Sequence, residues 1–265
     1  MSDWNRQVTD GEVSLYSIES PEISENFARC WSAAGKHLAA QTGDANINWL
    51  RCTLKGPALE HISFRLGNQL FFIRLIDVDS ELQTPGNDEG FLRLADGCHG
   101  HPCFMPMQEI HGQWQAARKG WGLVHAKTGE AINPFDLVSD KKIEMTDWEL
   151  LSFAIQVVCS KLEDKPDVQS FGYLVDPMVN PSVWVSKTDG SVEWLIVRGI
   201  RYPSKTTDLP ENIEAVRDTP PCMGKAGTFI GVSVRNAEQD INNPEPIPLW
   251  RGHGLRAEFS QIEEL

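Results

Sequence analysis

"NPSVWVSKTDGSVEWLIVRGIRYP", residues 180–203, is the stretch on which the fold reading turns. Two runs rich in Val, Ile and Trp flank the dipeptide Asp189-Gly190. Asp-Gly tolerates the positive backbone angles of a tight hairpin turn, so the stretch reads as two strands joined by that turn. Strand geometry alternates faces, which puts Ile196 and Arg198 on one side of the second strand and Glu193 on the other.

Working outward, "MTDWELLSFAIQVVCSKLE" (145–163) precedes this hairpin. Thr146 or Asp147 caps a helix there, and Trp148, Leu151, Ile155, Val158 and Leu162 form its apolar face. The segment between that helix and the hairpin reads as a loop. After the hairpin, "PENIEAVRD" (210–218) is a short helix. "GTFIGVSVRNAE" (227–238) is a strand that alternates Phe229, Gly231 and Ser233 against Ile230, Val232 and Val234. The tail "IPLWRGHGLRAEF" (247–259) adds a hairpin or an edge strand.

Farther upstream, Ser20 offers an N-cap and Pro21 a first helical position, followed by Phe27, Trp31, Ala34 and Leu38 at helical spacing up to Gln41. "LEHISFRLGNQLFFIRLIDVD" (59–79) reads as a hairpin about Gly67-Asn68. "TPGNDEGFLRLADGC" (84–98) reads as a turn and a short helix. "PCFMPMQEI" (102–110) and "GWGLVHAKTGEAI" (120–132) read as strands, and Pro102 and Pro106 argue for a sheet edge or a bulge. The fold class is therefore α+β, two mixed sub-domains, each a small sheet with flanking helices. The polar stretch "NPFDLVSDKK" (133–142) marks the division, into residues 1–140 and 141–265. There is no internal repeat and no low-complexity segment.

The order helix, strand, strand, helix, strand across residues 146–235 resembles the core of the restriction-endonuclease-like, PD-(D/E)XK, superfamily. That resemblance implies an Asp near the second core strand and an acid-x-Lys on the next, which together bind Mg²⁺ and activate water for phosphodiester attack. This chain departs from the pattern at those positions. Asn180, or Ser182 in a shifted alignment, stands where the Asp belongs. Ile196 stands for the acid and Arg198 for the Lys. An arginine can hold a phosphate but is a poor base. If the chain is an enzyme, Asp176, Glu193 and Arg198 are its catalytic candidates, with Glu149 or Gln156 as helix residues beside them. As a whole the chain resembles a bacterial protein family to which no function attaches.

"CHGHPC" (98–103) supplies Cys98, His99, His101 and Cys103, a donor set that zinc accepts. Four ligands within six residues would make a very tight ring, and structural zinc sites usually draw pairs from two segments, such as His111, His125, Cys222 or His253 here. The alternative is a loop with Cys103 facing the core. Cys103 beside His99 or His101 is also the best local pair for a cysteine nucleophile. No G-x-S-x-G elbow or phosphate-binding G-x-x-x-x-G-K-[ST] loop occurs. His253, between two glycines, has no visible partner.

The chain holds 265 residues with a net charge of −13. Up to Asp140 there are 11 basic and 18 acidic residues, and 13 and 19 after it, so both halves are acidic. Duplex nucleic acid is bound through neutralised phosphates, which argues against it as a partner. No apolar run is long enough to span a bilayer, and the start carries no signal-peptide pattern; the expected compartment is the cytoplasm, with the six cysteines as reduced thiols. No cofactor is implied. Trp31, Trp148 and Trp194 read as core, whereas Trp114 and Trp121 lie in a polar, glycine-rich stretch and read as an exposed contact surface. The expected function is a non-enzymatic protein that binds another, basic, protein through an acidic surface, of immunity or adaptor type. The alternative is a divergent metal nuclease or other hydrolase. The sequence does not specify an oligomeric state.

Overall fold

A computed structural model describes residues 23–43, 47–52, 54, 61–219, 222–240, 242 and 245–265. Among the described residues the chain divides into two compact units, one ending at residue 143 and the other beginning at residue 144. Among the described residues there are four α-helices and twelve strands in two sheets, a mixed α+β architecture.

In the N-terminal unit, helix α1 (Glu25–Gln41) is capped by Ser24, whose hydroxyl accepts the Phe27 N–H at 3.1 Å. The earlier cap suggested by Ser20 and Pro21 lies outside the described residues. Phe27, Cys30, Trp31, Ala34 and Leu38 recur every three or four residues and are buried on one face. Strands β1 (Ile47–Arg51), β2 (Ile62–Leu66) and β3 (Gln69–Asp77) form an antiparallel run. Helix α2 (Asp88–Gly97), capped by Asn87, carries the chain across to β4 (His101–Ile110), which pairs with β3 in parallel. Strands β5 (Gln113–Ala116) and β6 (Leu123–His125) pair antiparallel with β4, and β7 (Ala131–Ile132) pairs with β6. A 3-10 turn at Pro134–Leu137 follows. The core joins α1 to the inward side chains of β2, β3 and β4.

Three readings change here. The prolines of β4 do not mark an edge, because β4 has neighbours on both sides. Pro102 and Pro106 turn their carbonyls to Ala126 and Ala117, on the side away from β3, so their missing N–H groups leave the β3 ladder intact. Trp114 and Trp121 are core residues, only 9% and 7% exposed. Gln113-Trp114-Gln115 alternates out, in, out, and the Trp114 indole N–H donates to Asn26 Oδ1 at 2.8 Å. Trp121 sits between Gly120 and Gly122, both in the left-handed region, and the turn they make swings the indole inward to stack on Phe64.

In the C-terminal unit, α3 (Asp147–Glu163) opens with a capping box in which Thr146 and Glu149 satisfy each other's backbone N–H. Leu150, Leu151, Ala154, Ile155, Val158, Cys159 and Leu162 are buried, whereas Trp148 is only half-buried, outside the core assigned to it from the sequence. A strand then follows where a loop was expected: β8 (Val168–Tyr173). Next come β9 (Val183–Lys187), β10 (Val192–Arg201), α4 (Ile213–Arg217), β11 (Gly227–Asn236) and β12 (Leu255–Glu264). The sheet runs β12-β11-β10-β9-β8, with β10 and β11 parallel and every other pair antiparallel. Val183, Val185, Leu195, Val197, Val232 and Val234 meet α3 on one face. Trp194, Ile196 and Phe229 meet Val216 and Cys222 on the other.

Candidate functional site

The two positions that the nuclease resemblance aligns with its Asp and Lys come together. Asn180 ends the loop before β9, where the Asn180-Pro181 peptide is cis. Ser182, fully buried, then takes over the edge of the ladder: its N–H donates to Leu195 O, and its hydroxyl accepts the Val197 N–H. This fixes Asn180 against the middle of β10. The Arg198 guanidinium donates to Asn180 Oδ1 at 2.8 Å and to its neighbour's carbonyl, Val197 O, at 2.9 Å. Both acceptors are neutral. Burial lowers the Arg198 pKa from its ordinary value, which still leaves it charged and useless as a base.

The acid position is filled from the core outward. Ile196 is fully buried, packed with Trp194, Phe229, Val216 and Cys222. A hard cation needs oxygen ligands, and Asn180, Ile196 and Arg198 offer one amide oxygen already engaged by a cation. These residues do not fit Mg²⁺.

The alternative triad does not assemble either. Glu193 is held by Lys187 at 3.1 Å, and Lys187 also grips Asp167 at 2.8 Å. The hydrogen bond from Lys187 lowers the Asp167 pKa, and those to Asp167 and Glu193 raise that of Lys187. Glu193 thus belongs to a surface ion network on the other side of the strand from Arg198. Asp176 shapes its own turn, accepting the Met178 N–H at 2.9 Å. Glu149 is bound bidentately by Arg251, at 2.8 and 2.7 Å, with both side chains almost wholly buried. That pair ties the turn before β12 to the start of α3. Gln156 lies exposed, reaching Ser152.

The CHGHPC segment is dispersed by its own secondary structure. Cys98 caps α2, and His99 follows in the left-handed region at φ +46°. His101 begins β4, stacked on Phe71, with Nε2 3.0 Å from Gln69 Oε1. Cys103 faces the core, fully buried, and burial pushes its thiol pKa up to about 12, which removes it as a nucleophile. Among the described residues no three His, Cys, Asp or Glu side chains are arranged to hold a metal ion. His111 and His253 are exposed turn residues, and Cys222 is buried.

His101 does line a different feature. An open cleft of about 310 Å³ lies between the β6–β7 hairpin and the 3-10 turn, lined by His101, His125, Thr128, Glu130, Asn133 and Asp136 with Ala131, Ile132 and Leu137. The His125 Nδ1 accepts the Thr128 N–H at 3.3 Å, and Glu130 accepts the Thr128 hydroxyl. Two carboxylates line the cleft, and among the described residues no Lys or Arg does. The hairpin's own Lys127 is drawn off to Asp96 at 2.6 Å. Phe135, Leu137 and Val138 stand exposed in and after the same 3-10 turn. Sequence reading named His125 as a zinc ligand and His101 as a zinc ligand or the base beside Cys103, and missed Glu130 and Asp136. A Gly-containing polar hairpin leading into Asn133-Pro134 was the available signal.

Residues 148–265, a little under half of the chain, match a family described as a domain of unknown function (DUF8840). No curated protein and no solved structure matches the chain.

Proposed function

We propose that the protein is a non-enzymatic binding protein whose partner is a basic protein, engaged by the cleft of the N-terminal unit that holds Glu130 and Asp136. The observation that carries this reading is the cleft's lining: Glu130 and Asp136 with no Lys or Arg among the described lining residues, beside the exposed apolar Phe135, Leu137 and Val138. A concave site whose fixed charges are two carboxylates favours a cationic group, and an apolar rim adds the desolvated contact that a protein partner supplies. A Lys or Arg side chain of the partner fits both. The net charge of −13 steers such a partner toward the surface. The test is affinity capture of the tagged protein from its host's lysate, wild type against Glu130→Gln/Asp136→Asn, read by mass spectrometry. A basic partner held by wild type and weakened about tenfold per lost charge supports the reading. Equal capture by both proteins would sink it.

The C-terminal unit, in the same reading, is a restriction-endonuclease-like core that has lost its metal site. Its support is the mixed sheet with β10 and β11 parallel, the helix on each face, and the meeting of Asn180 with Arg198. Supercoiled plasmid incubated with Mg²⁺ or Mn²⁺ should stay uncut. Nicking abolished by Arg198→Ala would reverse this conclusion.

A further inference from the structure

We infer that strand β12 is a self-complementary interface through which two copies of this chain join their C-terminal sheets edge to edge. The strand is ten residues long and ends the sheet. Its outer row of backbone N–H and C=O groups pairs with no strand among the described residues. Its sequence, LRAEFSQIEE, has no proline and no lysine to block a neighbouring strand, and its charges are of both signs.

The side chains specify the partner. Ser260 is the extra residue of a bulge opposite the Gly231–Val232 step, so the face order flips across it. Ala257, Phe259 and Ile262 lie opposite Val234, Val232 and Ile230, on the α3 face. Phe259 is 39% and Ile262 65% exposed, because α3 packs across β8, β10 and β11 and stops short of them. On the other face Arg256 lies directly opposite Arg235, two like charges side by side, and neither has an ion-pair partner among the described residues. Glu263 lies on that same face at the far end, opposite Phe229.

On this face the strand carries Arg256 near its beginning and Glu263 near its end, and Glu258 between them is held by Lys205 at 3.1 Å. A second copy laid antiparallel about a two-fold axis normal to the sheet brings each Arg256 to the other's Glu263, and each Ala257 to the other's Ile262. The bulge is what lets both pairs share a face. Sliding the register by two residues would set Glu258 against Glu263 twice, which repels. The pairing thus relieves the Arg235–Arg256 repulsion, covers Ile262 and selects its own register.

The experiment is sedimentation of the full chain over a concentration series. Wild type should dimerise below about 100 μM. Arg256→Glu and Glu263→Arg, each folded by circular dichroism, should each weaken the dimer at least about tenfold. Mixing those two variants should restore association as a heterodimer, since each then supplies the other's missing charge. A wild-type monomer at all concentrations would overturn the proposal, and so would slow amide exchange along β12 in a monomer, which means another segment holds the edge. A dimer indifferent to both charge reversals and to Ile262→Lys would overturn it too.

Discussion

His61 is a histidine that folding keeps neutral. It is 4% exposed, flanked by the rings of Phe72 and Phe91, and its Nδ1 has no hydrogen-bond partner. Burial, with the Arg51 charge adding to it, lowers its pKa from 6.5 to about 3. Below pH 6.5 the unfolded chain takes up a proton that the folded chain refuses until about pH 3. The stabilising difference is complete above that window and is lost as pH falls through it, at up to ~1.4 kcal/mol per pH unit. Urea unfolding of His61→Leu should show a flatter decline between pH 6.5 and 4 than wild type; parallel curves would refute the assignment. At this scale the sequence was readable where a side chain does what its type suggests. Asn180 and Ile196 were visible as misfits for a metal site before any coordinates. Trp114 and Trp121 were misread because glycines and glutamines around an indole look like surface. Only the turn geometry and the Asn26 acceptor reveal that both rings point inward.

Between elements, close approach and buried charge decide the packing. A Cβ at Gly199 of β10 would lie 2.9 Å from the Leu150 carbonyl oxygen of α3, a backbone atom that cannot rotate away. Gly199→Ala should therefore push the helix off the sheet and cost about 1–3 kcal/mol. Gly35, inside α1, meets nothing within 4 Å. Gly35→Ala should stabilise by about 0.5–1 kcal/mol through helix propensity alone, and the two shifts should have opposite signs in thermal unfolding. Arg251→Met leaves the Glu149 carboxylate buried without its cation, so it should cost about 3–5 kcal/mol. The double variant Glu149→Gln/Arg251→Met should cost less than Arg251→Met alone, and a larger loss in the double would show that the ion pair is not what matters there. Helices α1 and α3 were legible from their periodicity, and the β9–β10 turn from Asp189-Gly190. Strand β8 was not, because VQSFGY is an edge strand with only half-buried or exposed positions and so carries no apolar alternation. The Glu149–Arg251 link joins residues 102 apart in sequence, a separation at which local patterns carry no information.

For the molecule as a whole, the question is whether residues 144–265 carry enough structure to fold alone. Their two cores are drawn from within that range: one under α3, the other around Trp194 and Phe229. A fully buried side chain of this kind contributes ~1.5–3 kcal/mol, and a domain with its own core is the unit that folds. The unit also secures its own beginning. Arg201 binds Glu144, Asp147 and the Met145 carbonyl, and Glu144 bridges to Trp250. Against this stands charge: the range holds 11 basic and 19 acidic residues, so self-repulsion opposes compaction. The ion pairs are mostly at the surface and offset little of it. The expected outcome for a 144–265 fragment is one cooperative urea transition followed through the emission of its tryptophans, with a midpoint that rises between low and moderate salt as the repulsion is screened. A fragment that bound a hydrophobic dye, kept its far-ultraviolet signal and lost its near-ultraviolet signal would be a molten globule. That result would mean the packing around Trp194 depends on chain outside this range.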